Sequence, residues 1–140
     1  MKNETLLDRS ISNYKTAIKL YKILSDDEFE LNLIGYLLQQ SIELFLKHHA
    51  EINGVKYSRT HDIAELLGVV RDNEIPIQIE ETFEFFADVF TVWESKTRYV
   101  KNYFLEKRSV EKGFSLVFNL LKNNGVDVEC INAKIVEFGD

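Results

Sequence analysis

Tyr36-Leu37-Leu38-Gln39-Gln40-Ser41-Ile42-Glu43-Leu44-Phe45-Leu46-Lys47 is the stretch on which the fold turns. Its apolar residues recur at spacings of three and four, the pattern of an α-helix with a face turned to a core. Extended to about residues 28–52, the helix carries Leu31, Ile34, Leu38, Ile42 and Phe45 as one row, and Leu33, Leu37 and Leu44 widen that row beyond what a single neighbour needs. A helix of this kind is central in a bundle or lies at a dimer interface. Gln39, Gln40, Glu43 and Lys47 interrupt it, and burying an amide or a charge without a partner costs ~1–3 kcal/mol. Polar groups in such a place are there to be paired, or to form a site.

Working outward, Leu7, Ile11, Tyr14, Ile18 and Tyr21 form the stripe of a preceding helix, with Lys15, Lys19 and Lys22 on its wet side. Ser25-Asp26-Asp27-Glu28 reads as a capping box opening the central helix, and Asn53-Gly54 as its stop. Ile63, Leu66, Leu67 and Val70 predict a short third helix that ends near Asn73, with Pro76 at a boundary. Phe83, Phe86, Phe90 and Trp93 line a fourth helix as core residues, opposite Glu80, Glu81, Glu84 and Asp88. A charged segment from Lys96 to Arg108 leads to a fifth, marked by Val110, Phe114, Val117 and Leu121 and closed by Asn124-Gly125; Val126 to Asp140 is left unassigned. The expectation is an all-α protein, an up-and-down helical bundle of four main helices plus a short extra helix. With no repeat and no Pro/Gly-rich linker, residues 1–140 are read as a single domain.

The formal net charge of -6 disfavours broad electrostatic wrapping of nucleic acid or of an anionic membrane, so any phosphate contact is local and no DNA partner is expected. Cys130 is the one cysteine, which excludes an intramolecular disulfide and a thiolate zinc site and suits a reducing compartment. No apolar run approaches the ~20 residues of a membrane span, so a soluble, cytoplasmic protein is expected. Adjacent His48 and His49 cannot aim at one ion from a regular helix, and no phosphate loop or nucleophile elbow occurs; neither metal nor cofactor is expected.

In an up-and-down bundle alternate helices run parallel and their like ends meet. On that count Lys47, His48, His49, Lys56, Arg59 and His61 gather near Lys96, Arg98 and Lys101, giving an acidic protein one basic pole. The candidate ligand-binding residues are Gln40, Glu43, Lys47, Arg59, His61, Arg98, Tyr99 and Tyr103. Arginine offers a paired fork to phosphate, lysine a point charge, and the two tyrosines rings that could meet a base. Structural readings stand beside these. Glu43 and Lys47 have the four-residue spacing of a helix ion pair, His48 and His49 can answer a helix dipole, and Asp62 with Glu65 reads as a cap. His61 divides between capping and ligand contact.

Taken in order, Tyr36 through Lys47, then Thr60-His61-Asp62-Ile63 with Leu66-Leu67, then Thr97-Arg98-Tyr99 resemble the HEPN domain family. The likeness runs from the first helix to about Leu121. It implies a small helical bundle associated with nucleotides or RNA, a homodimer, and for some members a partnership with a minimal nucleotidyltransferase. Members that cut RNA without metal carry an arginine followed, after four to six intervening residues, by a histidine. Arg98 has Tyr103 at the first of those places and no histidine at any. The leading expectation is therefore a non-catalytic HEPN protein that binds a nucleotide or a nucleotidyltransferase-type partner through the basic pole. The alternatives are a metal-independent ribonuclease or toxin-like protein built on Arg98, His61 and Tyr103, and a structural dimerisation module.

Overall fold

The computed structural model describes residues 3–128; Cys130 and the stretch beyond it lie outside the described residues. Thr5 opens α1, Leu6–Leu24, through a reciprocal cap in which its hydroxyl accepts from the Asp8 N–H and the Asp8 carboxylate accepts from the Thr5 N–H. The central helix α2, Glu28–Ile52, is capped by Asp27, which accepts from Phe29 and Glu30 N–H groups; Ser25 closes α1 instead of starting a capping box. Asn53-Gly54 ends α2 as expected, with Gly54 at φ 68° where a side chain would be strained. Next come α3, Ile63–Asp72, α4, Glu81–Phe85, α5, Ala87–Tyr99, and α6, Lys107–Asn123. Among the described residues there is no strand, and the all-helical bundle stands.

The fourth helix of the sequence reading is two helices. Phe86 (φ -92°, ψ 0°) ends α4 and starts α5, its N–H reaching back three residues to the Phe83 carbonyl. Phe83, Phe90 and Trp93 nevertheless pack as one buried row, with ring centroids 5.6 Å apart for the first pair and 5.2 Å for the second. Helix α5 also runs further than expected, so Lys96, Arg98 and Tyr99 belong to its last turn and only residues 100–106 connect it to α6.

Helix α2 is central: α1, α3, α5 and α6 all pack on it. Ile34, Leu38, Ile42 and Phe45 are fully buried there, and reciprocal hydroxyl-to-carbonyl bonds between Ser10 and Ser41 (2.6 and 2.8 Å) pin it to α1. Helix α5 is antiparallel to α2. Near its start Thr91 meets the N-terminus of α3, beside the level of Glu43; further along Arg98 lies over Tyr36; and the chain after it is fastened to Asn32. With ten residues against the twenty-five of α2, α3 is too short to carry the chain across the bundle. The chain therefore enters α5 from the end at which α2 finishes, and the ends of these two helices do not gather into one pole.

Candidate functional site

One stripe of α2 carries Phe29, Asn32, Leu33, Tyr36, Gln40, Glu43 and Lys47, at helical spacings that keep them on one side. Its chemistry changes along its length, from apolar at Phe29 and Leu33 to ionic at Lys47.

Toward the ionic end, the Glu43 carboxylate is 4% exposed and accepts three bonds: from Lys47 Nζ at 3.0 Å, from Gln39 Nε2 at 3.1 Å, and from His61 Nδ1 at 3.0 Å. Gln39, fully buried, also donates to the His61 carbonyl (3.4 Å), and its own amide oxygen accepts from Gln40 Nε2 (2.8 Å). A chain of amide donors thus runs inward from Gln40 and ends on the carboxylate, the only member that can accept without donating. Lys47 is mostly covered and lies 5.8 Å from the Tyr57 ring centroid. Burial and a hydrogen bond to Glu51 push the Tyr57 phenol up to about 12. His61 is different: its ring is held at Nδ1, yet its side chain is 63% exposed. The loop that delivers it is tied by Ser58 and Thr60 hydroxyls to Glu65, and Asp62 caps α3. Arg59 is exposed and has no ion pair or side-chain hydrogen bond among the described residues.

A second group forms around Arg98. Its guanidinium pairs with Glu94, four residues earlier, and its Nε donates to the Glu94 carbonyl at 3.0 Å. The same guanidinium is 4.7 Å from the ring centroids of both Tyr36 and Tyr99, so it is held in place by two aromatic faces. Tyr99 is 71% exposed. Tyr103 is half-buried, its backbone carbonyl accepts from Asn32, and burial raises its phenol pKa.

Gln40, Glu43, Lys47 and His61 therefore come together, and Arg59 sits on the loop just before them. Arg98 and Tyr99 form their own group, separated from Glu43 along α2 by the seven-residue step from Tyr36, about 10 Å of helix rise. His48 and His49 lie ring against ring, and burial lowers the His49 pKa, with His48 adding to the effect. Tyr36, Glu94 and Asn32 were missed by reasoning from sequence. The first and last share the stripe of Glu43 and Lys47, and Glu94 stands at ion-pair spacing from Arg98, so each left a signal.

No buried side-chain polar atom among the described residues lacks a partner, and no cluster of metal-ligating side chains occurs among them. No curated protein and no solved structure matches the chain. A family model for the HEPN domain matches residues 4–123, a span that takes in α1 to α6 and both polar groups. By that match the chain belongs to the HEPN domain family.

Proposed function

We propose that this HEPN protein is a binding protein whose ligand is a nucleotide, free or carried by a nucleotidyltransferase-type partner, and that it works as a homodimer. The observation that carries the reading is Arg98: a guanidinium held between two rings and by Glu94, its side chain still 37% exposed, beside an exposed Tyr99. A guanidinium meets phosphate through paired charge-assisted bonds, and an exposed ring offers a face to a base. The step of about 10 Å to the His61 group matches an extended ligand better than a lone anion. Cleavage is not part of the proposal, because Arg98 has no histidine partner in its own segment and the Tyr103 phenol, raised by burial, is a poor proton carrier at neutral pH.

Calorimetric titration with AMP is the test. Arg98→Ala should weaken binding about ten- to a hundredfold, since a charge-assisted contact contributes ~1.5–3 kcal/mol. Equal affinity in both proteins, or no binding at millimolar AMP, would favour the structural module. Cleavage of single-stranded RNA by the pure protein, lost in Arg98→Ala, would favour the ribonuclease reading.

The dimer rests on the apolar end of the same stripe. Phe29 (69% exposed), Leu33 and Phe104 stand in the open, with Phe29 and Phe104 packed edge to face at 5.3 Å. Contiguous exposed apolar groups of this kind mark interfaces. Light scattering should report a dimer, and Leu33→Glu should give a folded monomer. A wild-type protein that stays monomeric at high concentration would remove the dimer from the proposal.

A further inference from the structure

The charge of Glu43 is already answered by Lys47 at 3.0 Å, so nothing in the cluster calls for a second cation. A carboxylate only accepts, which places a proton on His61 Nδ1, 3.0 Å away. In the neutral ring the other nitrogen, Nε2, is then a bare acceptor, on a side chain that is 63% exposed. The orientation is fixed twice, at Nδ1 by Glu43 and at the backbone carbonyl by Gln39. The other charged groups around it are committed elsewhere: Asp62 caps α3, and Glu65 accepts the Ser58 and Thr60 hydroxyls. From α5 the contact at this end is the neutral Thr91 hydroxyl, and among the described residues Lys56 and Arg59 are exposed cations of the loop with no ion pair.

We infer that His61 is the end of the site that reads a neutral N–H or O–H donor of a nucleoside, through Nε2, while phosphate belongs to Arg98. The inference rests on the nucleotide-binding reading and orients the ligand within it. It also reverses the expected pH dependence. A protonated His61 gripping phosphate would bind more tightly as pH falls, whereas an acceptor loses its lone pair to the added proton and lets go.

The donor could come from the base amine or from the ribose hydroxyls, and analogues separate the two. Calorimetry is run with adenosine, inosine, 2′,3′-dideoxyadenosine, AMP and inorganic pyrophosphate on wild type, His61→Phe, His61→Gln and Arg98→Ala, each checked for native helicity. Adenosine affinity should drop about tenfold in His61→Phe, recover in part in His61→Gln, and fall on acidification in wild type and Arg98→Ala but in neither His61 variant. Pyrophosphate should respond to Arg98→Ala and ignore His61→Phe. The analogue that binds wild type as weakly as adenosine binds His61→Phe identifies the donor. Full affinity for both analogues, or tighter adenosine binding in acid, overturns the inference while leaving nucleotide binding in place. If neither AMP nor adenosine binds wild type, the binding reading itself falls and this inference with it.

Discussion

Replacing Trp93 with alanine should lower the unfolding free energy by about 3–5 kcal/mol, a large share of the ~5–15 kcal/mol that holds a domain of this size together. The side chain is 2% exposed and fits where two helices present glycine. A Cβ at Gly113 of α6 would stand 3.1 Å from Trp93 Cζ3 and 3.3 Å from Leu38 Cδ1, and one at Gly35 of α2 would stand 3.3 Å from Trp93 Cε3 and collide with Leu105. The indole thus joins α2, α5 and α6 at a point where their backbones come close, and Phe90 meets it edge-on at 5.2 Å. Removing it opens a cavity lined by backbone, which relaxes less readily than side chains do. Urea unfolding followed by helicity measures the loss. A value under about 1.5 kcal/mol would mean that the notch closes on itself and that Trp93 is not the keystone described.

Glu43→Ala should be nearly as damaging, at about 3 kcal/mol, for an electrostatic reason. It strands the covered Lys47 ammonium, leaves a Gln39 amide proton without its acceptor, and frees His61 at Nδ1. The double variant Glu43→Ala/Lys47→Met should then be more stable than Glu43→Ala alone, because the stranded charge is gone. Chemical denaturation of wild type and the two variants decides it. If the double variant is the less stable, the ammonium is not what makes the single change costly, and the pairing matters less than its geometry suggests.

The helices were legible where the information is local. The three-and-four spacing around Leu38, Ile42 and Phe45 depends only on helix pitch, and Asn124-Gly125 stops α6 with Gly125 at φ 90° because few other residues accept that angle. The break at Phe86 was hidden, since a single tight turn hardly disturbs the aromatic spacing from Phe83 to Trp93 and every ring still reaches the core. The direction of α5 was hidden for another reason. It depends on how far α3 carries the chain, and a ten-residue helix placed at one end of the bundle looks in sequence much like a leg that crosses it. The candidate site followed the same division. Glu43 with Lys47 was readable as an ion pair, whereas the bond from His61 to Glu43 and the pairing of Arg98 with Tyr36 join residues far apart in the chain, which no spacing rule connects.

Asn32 has a consequence of a different sort. Its amide donates to the Tyr103 carbonyl at 2.6 Å and its oxygen accepts the Leu105 N–H at 2.9 Å, so one side chain grips alternate backbone positions much as a neighbouring strand would. Just before the grip, Asn102 turns the chain at φ 61°. Between the two gripped residues Phe104 points out, while Leu105 is buried. The connection is therefore indexed: an insertion before Tyr103 would bring Phe104 to the buried place and Tyr103 to the open one, and a deletion there would bring Glu106 to the buried place and Leu105 to the open one. Length in this loop is constrained as tightly as identity, and a relative with one residue more or less between α5 and α6 would present a different surface even if every exposed side chain were kept.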